Sequence, residues 1–406
     1  MKKKILIEIN RNSLKLIVYK KFLPISKRFM KVAIAGSSVT KFGELWDESF
    51  YSLAEKAAKD ALSASRIDPQ KIDAIFVANM LSGNLLGQNH LGAQIASLLK
   101  LNCPAYTIEA ACASGGLAVN LACQGIDAGT YENVLVVGAE KMTDDSTSIV
   151  TTGLMGAASQ VERKAGLTFP GLYALMANAH MEKYGTTRKQ LAAVAVKNHA
   201  NGALNPIAQF HNKIEIEKVL KSTMVASPLT LFDCSPISDG AAAVVLSKNI
   251  KTNNVVITAS QAATDQIGLS ERKSITELLA AQLASQKAYK QTGLNPENID
   301  VAEVHDCFTI AEIMAYEDLG FCKRGQGGKF IESGAPTLTG KIPVNPSGGL
   351  KACGHPVGAT GIKQVIEIEE QLKGKAEKRQ VKGAKIGLTH NVGGSGATAA
   401  VHILQI

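Results

Sequence analysis

The chain has 406 residues, 46% of them hydrophobic, and a formal net charge of +9. At this length a single hydrophobic core stops growing, so two or more domains are expected, and no apolar run reaches the length of a membrane span. Seven cysteines without a C-x-x-C pair argue against a disulfide framework or a zinc ribbon and point to a reducing, cytoplasmic compartment.

The charge is uneven. Residues 1–29 carry nine Lys and Arg against the single acid Glu8, which leaves residues 30–406 with a net charge of only +1. Neither nucleic acid nor a membrane surface is therefore indicated as a partner of the folded body. The segment 1–29 is broken by charge and lacks a small-residue cleavage site, so it does not read as a secretory signal. Met30 precedes the strand-like Val32-Ala-Ile-Ala-Gly36 and reads as a second start. Residues 1–29 are then expected to be a disordered extension or a start-site artefact, with an organelle presequence as the alternative.

From Met30 onward, strand-like runs near 73–79, 105–109, 133–138, 254–260, 300–304 and 384–390 alternate with amphipathic helical stretches, the pattern of an α/β fold. Two echoes indicate a duplication. Ile67-Asp-Pro-Gln-Lys-Ile-Asp73 is matched by Leu294-Asn-Pro-Glu-Asn-Ile-Asp300, and Asp239-Gly-Ala-Ala-Ala-Val-Val245 by Ser395-Gly-Ala-Thr-Ala-Ala-Val401. The spacing Asp73 to Gly240 is 167 positions and Asp300 to Gly396 is 96, an excess of 71 in the first half. An insertion is expected at about 143–225, where polar, Met-rich and Lys-rich sequence interrupts the alternation. The halves are read as 30–250 and 251–406, joined by the polar stretch 248–254.

The first chemical motif is Glu109-Ala-Ala-Cys112-Ala-Ser114-Gly115-Gly116, a thiol between a strand and a Gly-opened helix read over 115–128. The free N–H groups and positive end of that helix favour a thiolate, and the small residues after Cys112 leave room for a substrate. Three loops follow in the second half. His305-Asp306-Cys307-Phe308 ends a strand, Gly354-His355-Pro356-Val-Gly358 fixes a histidine between proline and glycines, and His390-Asn391-Val-Gly393-Gly394 can aim N–H groups at an oxyanion. A zinc site from His305, Cys307, His355 and His390 is the rival reading, weakened because only 305 and 307 are close in sequence. His90, His180, His199, His211 and His402 read as surface or packing residues. Met155, Met176 and Met181 could line an acyl pocket, though apolar packing is their more usual role, and Arg163, Lys164, Lys183 and Arg188 could meet phosphates, though solvated surface explains them at least as well.

Taken in order, these four motifs resemble the thiolase superfamily over about 30–406, most nearly the branch of sterol-carrier-protein-type thiolases and archaeal-type acetyl-CoA C-acetyltransferases. The resemblance implies two βαβαβαββ halves in a five-layered αβαβα arrangement, with a loop domain inserted in the first half over the coenzyme A site. It implies Cys112 as the acyl-accepting nucleophile, His355 as its base, and Gly393 with the Cys112 N–H as oxyanion donors. Asn391 stands where many thiolases keep a second cysteine; in this branch the cysteine of His-Asp-Cys-Phe takes over. Cys307 is then the acid/base, and His305 shares the enolate oxygen with His355, the loop of His390, Asn391 and Gly394 supporting them.

The implied activity is an acetyl-CoA C-acetyltransferase that condenses two acetyl-CoA, with coenzyme A thioesters as substrates and no permanently bound cofactor or metal. Degradative thiolysis of 3-ketoacyl-CoA, a ketosynthase-like transfer to a non-CoA acceptor and a non-catalytic scaffold are the alternatives. The resemblance further implies a homodimer or homotetramer, a role in lipid metabolism of the mevalonate-pathway kind, and work beside a zinc-ribbon/OB-fold protein and an HMG-CoA synthase.

Overall fold

A computed structural model describes residues 30–406, so the expectation for 1–29 lies outside the described residues. The first half runs β1 (Val32–Val39), α1 (Phe50–Ser65), β2 (Ala74–Ala78), α2 (Leu91–Leu98), β3 (Ala105–Ile108), α3 (Ser114–Asp127) and β4 (Asn133–Glu140). An inserted segment follows with α4 (Thr147–Leu154), α5 (Gln160–Lys164), α6 (Phe169–Tyr184), α7 (Arg188–Gly202), α8 (Ile216–Leu220) and the hairpin β5 (Met224–Ala226) and β6 (Leu229–Thr230), before β7 (Gly240–Ser247) closes the half. The second half runs β8 (Val256–Thr264), α9 (Leu279–Thr292), β9 (Val301–Glu303), α10 (Thr309–Asp318), α11 (Gly327–Glu332), α12 (Gly349–Cys353), α13 (Val357–Leu372), β10 (Ile386–Gly393) and β11 (Thr398–Gln405).

The duplication is visible in the sheet. Strand order is β3-β2-β4-β7-β1 in the first half and β9-β10-β11-β8 in the second, with a bridge from Ala302 to Val344 standing where β3 pairs with β2. In both halves the two outermost pairings are parallel and the two inner ones antiparallel. β1 and β8 meet at Val32–Ile257 and Ala33–Val256, which joins the halves edge to edge. Even the turn chemistry repeats. The Asp73 carboxylate accepts from the Glu132 and Asn133 N–H groups, and the Asp300 carboxylate accepts from those of Lys385 and Ile386.

Strand periodicity explains the layers. In β7, Ala241, Ala243 and Val245 pack outward against α1, while Ala242, Val244 and Leu246 pack inward with α3 and α13. A third core, under α9 and α10, covers the outer face of the second sheet and includes residues of the insertion. The helices α3 and α13 therefore lie between the sheets, and α13 is buried on nearly every side. They touch backbone to backbone. A Cβ on Gly115 would lie 2.8 Å from the Gly358 carbonyl, and one on Gly361 2.2 Å from the Gly116 nitrogen. The glycines after Cys112 and His355 serve this approach of two helices, which brings the two residues together.

The excess of 71 positions is a net figure. Between the paired strands β4 and β7 the extra chain runs from Lys141 to Asp239, whereas Gly393 passes to Thr398 by a short turn. The second half has extra chain of its own around α11, which offsets part of the difference.

Candidate active site

Cys112 stands two residues before α3, on a turn that carries strain. Ala111 has φ of 51°, a left-handed conformation that disfavours L-residues by roughly 1–2 kcal/mol. The turn is braced on both sides: the Glu109 carboxylate accepts the Ala111 N–H at 2.7 Å, and the Ser114 hydroxyl accepts the Ala110 N–H at 2.9 Å while donating to the Ala111 carbonyl at 2.6 Å. Ser114 is fully buried, so it acts as a brace rather than as an opening for substrate. The Cys112 and Gly394 N–H groups face the sulfur, yet burial dominates and pushes the thiol up to about 12, with Glu140 and Glu109 adding to the rise. The expectation of a resting thiolate is therefore corrected. Desolvation outweighs the helix end, and Cys112 rests as a thiol that needs a base.

Two histidines supply complementary nitrogens. The Thr360 hydroxyl donates its one proton to the Pro356 carbonyl at 2.9 Å and so accepts from His355 Nδ1 at 2.7 Å. His355 Nε2 is then a bare lone pair, buried and without a partner. For His305 the assignment runs the other way. Asn391 Oδ1 accepts the Gly116 N–H at 3.0 Å, so its Nδ2 donates one proton to the Cys112 carbonyl at 3.0 Å and the other to His305 Nδ1 at 3.2 Å. His305 Nε2 therefore carries a proton and is likewise unpartnered. The rings meet edge to face with centroids 5.2 Å apart, and ligand-type atoms of Cys112, His305 and His355 all lie within 4.8 Å of one another. Burial holds both imidazoles neutral, His355 down to about 3 and His305 well below its usual range, with the neighbouring histidines adding to the effect on His305.

Cys307 is buried in the core beside this group, and burial pushes its thiol well above the ordinary range, with the charge of Cys112 next in effect. Asp306 turns away from it. Its carboxylate accepts from the Leu350 and Lys351 N–H groups at 2.6 and 3.2 Å and from Asn198 at 2.7 Å, which fixes α12 and the loop to His355. His390 is buried, and its carbonyl accepts from Gln364 at 3.1 Å. Its side chain leaves the strand on the face opposite Asn391 and stands outside the three-atom group. Gly393 is required by crowding, because a Cβ there would lie 2.3 Å from the Ala110 carbonyl. The glycine N–H aimed at the Cys112 sulfur is that of Gly394, not of Gly393.

The zinc reading grouped His305, Cys307, His355 and His390; the structure brings His305 and His355 together with Cys112 instead. With a proton on His305 Nε2 the group offers two lone pairs, fewer than a zinc site requires. Of the other histidines, His180 is held by Thr186 at 2.8 Å, His199 stacks on Phe210, His402 meets Ser260 at 2.8 Å, and His90 and His211 are exposed. Met155 and Met176 are core residues, with Met181 packed against them, and Arg188 pairs with the buried Asp233 at 2.8 Å. Arg163, Lys164 and Lys183 are exposed.

Sequence reasoning missed Tyr173. It comes from α6 of the insertion, is fully buried, stacks on Phe308 with centroids 4.6 Å apart, and donates its hydroxyl to the Gly394 carbonyl at 3.1 Å. No motif marks it, since an isolated aromatic in an apolar helix reads as packing. Thr360 had a visible signal, lying within the Gly354–Gly361 run, one helical turn after Pro356.

A thiol on a braced turn, flanked by one histidine lone pair and one histidine N–H, is an arrangement chemically suited to acyl transfer through sulfur. The chain matches the family model of the thiolase N-terminal domain over residues 32–249 and that of the thiolase C-terminal domain-like region over 261–406. It belongs to the thiolase family. It is 49% identical to an acetyl-CoA acetyltransferase of Methanothermobacter thermautotrophicus, over 92% of this chain and 99% of that one. Against sterol carrier protein 2 of Bos taurus the identity is 35%, over 90% of this chain and 71% of that one. The solved acetyl-CoA acetyltransferase of Syntrophomonas wolfei shares the fold, with a TM-score of 0.71 over 93% of this chain and 99% of that one at 22% identity.

Proposed function

We infer that this thiolase is an acetyl-CoA acetyltransferase, condensing two acetyl-CoA to acetoacetyl-CoA and free CoA through an acetyl-Cys112 intermediate. The observation that carries the reading is the Cys112 thiol set against the lone pair of His355 Nε2 and the N–H of His305 Nε2. In the first half-reaction Cys112 gives its proton to His355 Nε2 and its sulfur bonds the acetyl carbon. The bond to CoA sulfur breaks, and the departing thiolate takes the proton of Cys307. The N–H groups of Cys112 and of the Gly393–Gly394 turn receive the oxyanion; one such donor is typically worth about 10²–10³ in rate.

In the second half-reaction the Cys307 thiolate removes a proton from the methyl carbon of another acetyl-CoA. The enolate oxygen is held by His305 Nε2–H and by the now protonated His355. The new carbon–carbon bond forms as the bond to Cys112 breaks, and Cys112 recovers its proton from His355. Run in reverse, the same steps perform thiolysis. A cytoplasmic location, a homodimer or homotetramer, a mevalonate-pathway role and a working partnership with a zinc-ribbon/OB-fold protein and an HMG-CoA synthase belong to the same reading. Its support is the likeness to archaeal acetyl-CoA acetyltransferases along nearly their whole length.

Incubation with radiolabelled acetyl-CoA followed by peptide mapping tests the mechanism. Label is expected on the peptide holding Cys112 and not in Cys112→Ser; a folded protein without label there defeats the reading. Cys307→Ala is expected to take label at Cys112 from p-nitrophenyl acetate, whose leaving group needs no proton, and to fail to condense acetyl-CoA. Loss of that labelling in the folded variant would give Cys307 a part in activating Cys112 itself.

A further inference from the structure

Among the described residues, Tyr173 is the side chain of the inserted segment whose hydroxyl bonds the loop that faces Cys112. Its hydroxyl donates to the Gly394 carbonyl at 3.1 Å, and the N–H of the same residue, Gly394, points at the Cys112 sulfur. Its ring is clamped on Phe308, the neighbour of Cys307, at a centroid distance of 4.6 Å and an interplanar angle of 29°. The Cys307 sulfur is the hydroxyl's ionisable neighbour, though no hydrogen bond joins the two at rest. Both side chains belong to one buried core.

We propose that Tyr173 is a positioning residue for the condensation half-reaction, its hydroxyl turning from the Gly394 carbonyl to the Cys307 sulfur when Cys307 becomes a thiolate. The inference rests on the acetyltransferase reading. A phenol has one proton to donate. While Cys307 is a thiol, that proton is committed to Gly394 and the phenol oxygen is free to accept the S–H. Once Cys307 has protonated the departing CoA thiolate, the buried anion needs a donor. The Phe308 N–H is one and the Tyr173 O–H is the other. The turn of the hydroxyl breaks one neutral hydrogen bond and makes a charge-assisted one, the stronger kind. No proton leaves Tyr173 in this step, because burial and the adjacent cysteine hold its own ionisation well above the ordinary range. The other ionisable groups near enough to act on the pair by charge are Cys112, Asp306 and Arg272. Arg272 is fixed on the Ser395 carbonyl at 2.7 Å, and Asp306 on α12.

Tyr173→Phe keeps the ring on Phe308 and removes the donor. Measured on the full chain, Cys112 labelling by p-nitrophenyl acetate, whose leaving group needs no proton, is expected to stay within about twofold of wild type. Condensation of acetyl-CoA is expected to fall about 10- to 100-fold, the worth of a hydrogen bond to a charged group. The acid limb of its pH profile is expected to move to higher pH by about one unit or more. Replacement of Tyr173 by 3-fluorotyrosine, a stronger donor in the same shape, is expected to move that limb to lower pH. This second variant also serves if Tyr173→Phe does not fold. A condensation rate that falls while the pH profile superimposes on wild type makes Tyr173 a packing residue and overturns the proposal, as does an unchanged rate. Wild-type protein that takes no label at Cys112 overturns the acetyltransferase reading together with the inference.

Discussion

Cys112 and His355 occupy the same place in the two halves, each two residues before a central helix, α3 in one case and α13 in the other. Duplication and close helix packing thus turn one position, used twice, into a nucleophile facing its base. The helix ends are held crosswise. Asn391 on β10 of the second half accepts the Gly116 N–H of α3, and Glu140 on β4 of the first half accepts the Gly358 N–H of α13 at 2.9 Å. The difference between the two anchors is charge. Asn391 has to donate as well as accept, to the Cys112 carbonyl and to His305, and a carboxylate there would repel a developing thiolate. Glu140 only accepts, from Asn79, Met80, Leu81 and Gly358. The anchor in contact with the nucleophile's turn and His305 is neutral, and the acidic one holds backbone and an amide and acts on Cys112 only through its charge.

The largest effect is expected from breaking the neutral anchor. Asn391→Ala removes three hydrogen bonds and the donor that fixes the His305 tautomer, and should lower kcat/KM for acetoacetyl-CoA thiolysis about 10²–10³-fold, by analogy with loss of an oxyanion donor. Asn391→Asp should cost more, because an acceptor replaces the Nδ2 donor and carries charge toward Cys112. An Asn391→Asp variant as active as wild type would remove the tautomer argument.

The acidic anchor is read through stability. Burial raises Glu140 from 4.5 to about 7 against the pull of its four donors. A carboxyl raised on folding contributes stability that is present below its unfolded value and lost as pH rises through its folded value. Glu140→Gln should therefore lose less stability than wild type between pH 5 and pH 8, by on the order of 1–3 kcal/mol in the difference. Denaturant titrations at the two pH values check this; parallel changes in both proteins would mean that Glu140 is ionised throughout.

What could be read in the sequence was local. Cys112, the His305–Phe308 run and the His355 loop announce themselves because each motif is contiguous, and the repeat of Asp73 and Asp300 exposes the duplication because both do the same turn chemistry. Tyr173 and Glu140 could not be read, since each acts on a loop more than 200 positions away. Nor could the protonation of Cys112. A helix N-terminus argues for a thiolate, and only the depth of burial shows that the argument loses. The glycines around His355 stood out in the sequence, but not that Gly358 and Gly361 are there to let another helix approach. The single excess of 71 residues concealed two opposed insertions because a difference of spacings records only their net.

A smaller effect separates His355 from its position. Thr360→Val deletes the acceptor for His355 Nδ1–H without altering the bulk that packs α13, so Nε2 no longer has an assured lone pair. Acetylation of Cys112 should slow about tenfold, roughly the 1.4 kcal/mol worth of one hydrogen bond, with little change in condensation once the acetyl-enzyme is formed. Burst kinetics resolve the two phases. Equal slowing of both would place Thr360 in the support of the helix rather than of the histidine.

The smallest effect concerns the strain in the nucleophile's turn, which His355 does not share: among the described residues Ala111 has positive φ before Cys112, whereas the corresponding bend before His355 falls on Gly354 at φ 113°. Glycine tolerates that region and alanine does not. Ala111→Gly relieves the strain but frees the unfolded chain, two effects of about 1 kcal/mol and opposite sign. Stability should therefore change by less than about 1 kcal/mol. The turn remains braced by Glu109 and Ser114, so acetylation should stay within about threefold of wild type, where a 1 Å misplacement can cost about 100-fold. A larger loss of acetylation at unchanged stability would show that the Cβ of Ala111, and not the hydrogen bonds around it, aims the thiol at His355.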